Sequence, residues 1–142
     1  MNGLPITVRY AIKILIFLTL TAGHSISASE LARLTRIPHS QVAKVLHALR
    51  WGGLTRSRRG LHGGYELRMN PEEIRVEQVM KLLLHGEKEP QPDAADDPFL
   101  QVWTETEARS QQEWKQLTIA ELSRRMPPHA ADWGKLAAGR QL

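Results

Sequence analysis

The sequence predicts a mainly α fold with a small β-hairpin, and three observations carry that expectation. Apolar residues recur at helical spacing through most of the first 85 residues. Serine, proline and glycine signals punctuate those runs where helices start and stop. One stretch, SRRGLHGGYEL (57–67), breaks the pattern, with arginines and glycines set between two short strand-like segments.

From about Thr7 to Ala22, residues Ala11, Ile14, Leu15 and Leu18 fall at i, i+3, i+4 and i+7. Ile12, Ile16, Phe17 and Leu20 carry apolar surface onto further faces, so this helix needs several covering partners. The run Ile14–Leu20 behind Arg9 and Lys13 has the length of a signal-peptide core, yet a bilayer span takes about 20 residues. The capped helices C-terminal to it favour a buried first helix, stopped near Gly23.

SASE (Ser27–Glu30) has the capping-box form, with Ser27 as N-cap and Glu30 at N3. It opens a short helix to about Leu34, carrying Leu31 and Leu34 inward. TRIP (Thr35–Pro38) interrupts it, and Pro38 suits the first turn of a third helix reaching about Trp51. Val42, Val45, Leu46 and Leu49 form the core stripe of that helix; Gly52 and Gly53 end it. Short helix, turn and amphipathic helix together have the form of a helix-turn-helix. Ser40, Gln41 and Lys44 then occupy the first two turns of the second member, where a recognition helix meets base edges. Leu54–Ser57 and Tyr65–Arg68 can pair as strands around a tip at Arg58–Gly64, which makes the layout a winged helix-turn-helix.

The segment Asn70–His85 comes next, with Val76, Val79, Met80 and Leu83 at helical spacing. Residues 86–98, GEKEPQPDAADDP, carry three prolines and five acids and read as an exposed linker. Phe99–Leu117 reads as one long helix. Trp103 and Trp114 lie 11 residues apart on it and differ by only about 20° around its axis. With Phe99, Ser110 and Leu117 they form a face that needs covering, and pairing with the same helix of a second subunit is the preferred expectation. TIAE (Thr118–Glu121) repeats the capping-box form and opens a further short helix. The organisation expected is a DNA-binding domain at 1–85, a linker at 86–98, a dimerisation segment with its adjoining helix at 99–126, and a tail at 127–142.

Charge is divided along the chain. Residues 1–85 hold 12 Lys and Arg against 5 Asp and Glu, whereas residues 86–142 hold 7 against 10. A basic module beside an acidic segment places polyanion binding in the first part. The chain contains no cysteine, which excludes disulfides, thiolate metal sites and cysteine nucleophiles. His24, His39, His47, His62, His85 and His129 form no recognisable pairing with a nucleophile. Gly60, Gly63 and Gly64 do not match the P-loop spacing, so the sequence gives no support to an enzyme.

With the elements placed, the residues resemble a known pattern. Arg9-Tyr10-Ala11 opens the first helix, Ser29–Leu34 forms the second, and Ile37-Pro-x-Ser40 begins the third. Leu49-x-x-Gly-Gly-Leu54 closes that helix, and Ser57-x-Arg59-Gly60-x-x-Gly63-Gly64-Tyr65-x-Leu67 makes the wing. Over about residues 5–122 the chain resembles the IscR/NsrR/CymR-type family of bacterial winged helix-turn-helix regulators. The resemblance implies a cytoplasmic, homodimeric transcription factor, usually a repressor, on a pseudo-palindromic operator, with the residues after Pro98 forming the dimerisation helix.

The sequence also departs from that pattern. Many members hold an iron–sulfur cluster through three cysteines in the stretch equivalent to His85–Pro98, which has none here. His85, Asp93, Asp96 and Asp97 are candidate oxygen and nitrogen donors there, but acidic linkers are common, and no cofactor is expected. Ala43 stands where cluster-binding relatives often carry an acid, and Leu61-His62 stands where Pro-Gly is usual.

These readings give the expected DNA-contacting set. Ser40, Gln41 and Arg59 discriminate bases; Lys44, Arg50, Arg56 and Arg58 neutralise phosphates; Arg36, His39 and His62 flank them. The rival from another class is a winged module that binds a partner protein through the basic wing or the Trp103/Trp114 face. No membrane partner is expected, and the effector signal is not encoded in any motif.

Overall fold

Helix α1 (Ile6–Leu20) runs through the middle of the molecule. Its Val8, Ala11, Ile14, Leu15, Ile16, Phe17 and Leu18 are all buried, which is why its sequence is apolar on more than one face. The computed structural model describes residues 5–84 and 112–126, together with positions 98, 102, 105 and 109. Among the described residues no helix is long and apolar enough to cross a membrane.

Helix α2 (Ala28–Thr35) starts as its capping signal predicts, the Ser27 hydroxyl accepting from the Glu30 amide at 3.1 Å. It ends at Arg36, whose φ of 58° is left-handed, a conformation that costs a non-glycine residue on the order of 1 kcal/mol or more. Helix α3 (His39–Trp51) begins after Pro38 and buries Val42, Val45, Leu46 and Leu49. Strands β1 (Thr55–Arg58) and β2 (Gly64–Leu67) pair antiparallel, with Thr55 opposite Leu67 and Arg56 opposite Glu66. The sequence expectation sits one residue further from the tip on each strand, in the same register.

Helix α4 (Val76–Leu84) starts at the first residue of the periodic set, Val76. Asn70 does cap a turn, its side-chain oxygen accepting from the Glu72 amide and its carbonyl from the Glu73 amide, but the turn does not propagate. Instead, Ile74 and Val76 exchange backbone hydrogen bonds with Ile119 and Leu117 across the Arg75–Thr118 bridge. That long-range pairing holds Ile74 and Arg75 out of the helix, which begins at Val76.

Helix α5 (Ile119–Arg124) is capped by the Thr118 hydroxyl, which accepts from the Glu121 amide at 3.2 Å. The sequence grouped this helix with the dimerisation segment. In the fold it packs on α1, and Ile119 is fully buried in the same core as Ile14, Leu46 and Ile74. Residues 112–116 are helical and lead into it. Leu117 and Trp114 are half-buried there, while Phe99, Trp103 and Ser110, like the linker and tail, lie outside the described residues.

Candidate nucleic-acid interface

Burying Val42, Val45, Leu46 and Leu49 fixes which side of α3 faces outward. Ser40, Ala43, Lys44, His47 and Trp51 are exposed and recur at i, i+3, i+4, i+7 and i+11, a stripe on the opposite face. His39 and Arg50 are also exposed, whereas Gln41 is half-buried on the flank. The stripe ends in the Trp51 ring, 85% exposed, which the sequence reading used only as a helix terminus. Its spacing from Ser40 was the signal available.

The first turns of helices α2 and α3 are in side-chain contact. The Ser29 hydroxyl lies 3.4 Å from His39 Nε2, so one of the expected contact residues is also tied to the preceding helix. At the other end of α2, the Lys13 ammonium of α1 donates to the Thr35 carbonyl at 2.8 Å. Arg36, exposed at the turn between the two helices, projects from the backbone that this lysine secures.

The wing is seated by backbone hydrogen bonds together with the Tyr65 and Leu67 side chains, which pack against the core. Ile26 and Tyr65 exchange two hydrogen bonds of 2.9 and 2.7 Å, which joins β2 to the segment before α2. Gly64 makes that approach possible: a Cβ there would fall 2.5 Å from the Ile26 carbonyl carbon. At the tip, Gly60 takes φ 112° and its carbonyl accepts from the Gly63 amide at 2.9 Å. Arg59, Leu61 and His62 are exposed there, Leu61 at 97%.

The three wing arginines are not equivalent. Arg56 Nε and Arg58 Nε both donate to Glu66 Oε1, at 2.6 and 2.9 Å. Arg59 makes no ion pair with any described residue. Burial pushes the Glu66 carboxyl up, but the hydrogen bonds and charges of Arg56 and Arg58 outweigh it and hold it below the usual carboxylate range. Glu66 is thus ionised at neutral pH. The sequence reading assigned all these arginines to the partner and missed the acid between them; the strand register was the cue.

Residues 4–125 match the model of the Rrf2 family, described as iron-dependent transcriptional regulators. The chain belongs to the Rrf2 family. An Aquifex aeolicus protein described as a helix-turn-helix-type regulator is 29% identical over 126 residues, covering 82% of this chain and 88% of that one. The regulator NsrR of Shouchella clausii is 34% identical over 73 residues, 51% of this chain and 49% of its own. In fold, the chain is similar to CymR, the global cysteine regulator of B. subtilis, with a TM-score of 0.76. That likeness has 22% identity and covers 89% of this chain and 100% of CymR.

Rrf2 membership brings iron into question. The chain has no cysteine, so it offers no thiolate to a cluster. Among the described residues no three His, Asp or Glu side chains gather into a metal site. The residues present do not fit a thiolate-held cluster. The winged helix-turn-helix and its charged face therefore carry what can be said of this Rrf2 chain's chemistry.

Proposed function

We propose that this Rrf2 protein is a sequence-specific DNA-binding regulator that acts as a homodimer on a pseudo-palindromic operator, as a repressor that needs no cysteine-ligated cluster. The reading is supported by two exposed basic elements in direct succession, α3 and the wing. Helix α3 exposes Ser40 and Lys44 on its outward stripe and Arg50 beside it, and the wing that follows carries Arg59 at its tip, whose guanidinium has no ion pair among the described residues.

In this reading α3 enters the major groove, with Ser40 and Gln41 at base edges and Lys44 and Arg50 on phosphates. Arg59 enters the adjacent minor groove, where a narrow A·T-rich stretch concentrates negative potential. Arg36, His39 and His62 border that path. Two copies would place their α3 helices about 34 Å apart, one turn of B-DNA. The pairing of the protomers falls to the segment carrying Phe99, Trp103, Ser110, Trp114 and Leu117. Such a protein works in the cytoplasm, where bacterial DNA is.

Selection of bound duplexes from a random pool tests the proposal. A recovered inverted repeat with centres about 10 base pairs apart is the expected result. Recovery of no motif, from a chain that does bind an acidic partner protein, would favour the protein-interaction module.

A further inference from the structure

Three cations and one acid share the wing, and they are arranged rather than scattered. Arg56 stands directly opposite Glu66 across the ladder, and Arg58 sits two residue pairs nearer the tip, on the same face. Both donate through Nε to the same carboxylate oxygen, so the bonds to Glu66 do not use the terminal nitrogens. The guanidinium-bearing side chains are 55% and 62% exposed, while that of Glu66 is 15% exposed. The acid lies beneath, and the cations face out. Arg59, one residue on, has no such anchor among the described residues.

This arrangement has two physical effects. A fixed carboxylate subtracts charge from the wing, and phosphate attraction is the part of binding that ignores sequence. Anchoring through Nε also removes rotamer freedom before any ligand arrives, so ordering the two guanidiniums on a correctly placed backbone costs less. The first effect weakens every duplex. The second returns affinity only to a duplex whose phosphates meet the fixed forks.

The geometry points to Glu66 as a specificity-determining residue, an internal counter-charge that lowers affinity for arbitrary DNA and orients Arg56 and Arg58 for the operator. The inference rests on the DNA-binding reading above and assigns a role to a residue that contacts no nucleic acid itself. It acts as a positioning residue, through its two arginines.

The test compares the full-length wild type, Glu66→Gln and Glu77→Gln on the duplex recovered by selection and on a scrambled duplex of equal length, each across a salt series. Glu77 pairs with Lys81 on α4, so its variant makes the same change in net charge away from the hairpin. Glu66→Gln is expected to bind the scrambled duplex ~3–10-fold tighter, with a salt slope steeper by about 0.9, one further released counterion. Its affinity for the selected duplex stays level or falls, so the ratio of the two affinities drops. Glu66→Val, neutral and strand-favouring, serves as a second variant and should behave alike. Wild-type behaviour in both Glu66 variants, or an equal change in Glu77→Gln, would overturn the inference and leave the regulator reading standing. A wild-type chain that binds neither duplex at low salt would instead sink the regulator reading, and this inference with it.

Discussion

Lys13 reaches from the first helix to the carbonyl of Thr35, 2.8 Å away, at the last residue of the second helix. A helix end leaves carbonyls without partners, and a cation there is doubly favourable, as a donor and against the helix dipole. Lys13→Met keeps the aliphatic stem and removes the ammonium. It should lower stability by about 1 kcal/mol, read as a shift of the urea midpoint at unchanged slope.

The wing's seat on the segment before α2 depends on a missing side chain. In Gly64→Ala the new Cβ would meet the Ile26 carbonyl carbon at 2.5 Å and its oxygen at 2.6 Å, both backbone atoms that cannot swing aside. The bridge to Ile26 must open or the hairpin must tilt. A loss of about 1–3 kcal/mol in thermal or urea unfolding is expected.

Thr55 offers the opposite case. It is 1% exposed, and its hydroxyl oxygen is the buried side-chain polar atom without a partner among the described residues. Valine has nearly the same shape and a higher preference for strands. Thr55→Val should therefore stabilise the fold by about 1 kcal/mol, and an unchanged or lower midpoint would contradict it.

Arg59→Ala separates reading from attraction. Its guanidinium is free of ion pairs among the described residues, so the substitution breaks no ion pair of the described fold. Binding to the selected duplex should weaken by about 1–3 kcal/mol, with a smaller loss on random duplex. Equal losses would reduce Arg59 to one more phosphate contact.

Acid should loosen the wing. The Glu66 carboxyl titrates below its usual range in the folded chain, so its contribution to stability is complete above the unfolded carboxylate's pKa. That contribution is lost as pH falls through the lower, folded value. The stability difference between wild type and Glu66→Gln should hold steady at neutral pH and shrink progressively below about pH 4.

The elements that were legible in the sequence announce themselves locally. Ser27 and Thr118 cap where their motifs say, and Val42, Val45, Leu46 and Leu49 face the core as their spacing requires. The non-helical stretch before α4 has a different origin. Asn70 makes the turn its chemistry favours, but the Arg75–Thr118 bridge joins positions far apart in the chain, and no window of neighbouring residues contains that information. The same bridge brings Ile119 into the first core, which composition had assigned elsewhere. On α3, the exposed stripe from Ser40 to Lys44 could be read from periodicity. The left-handed Arg36 and the sharing of Glu66 between two arginines could not, because backbone conformation and cross-strand partners emerge only after pairing.

Because amides and carbonyls of Ile26 and Tyr65 do the fastening, the pose of the loop between the strands owes little to the identity of its side chains. Positions 59, 61 and 62 can be randomised together while the glycines are kept, and the variants would share one platform. Differences in target preference within such a library would then report chemistry at the tip, uncontaminated by changes of scaffold.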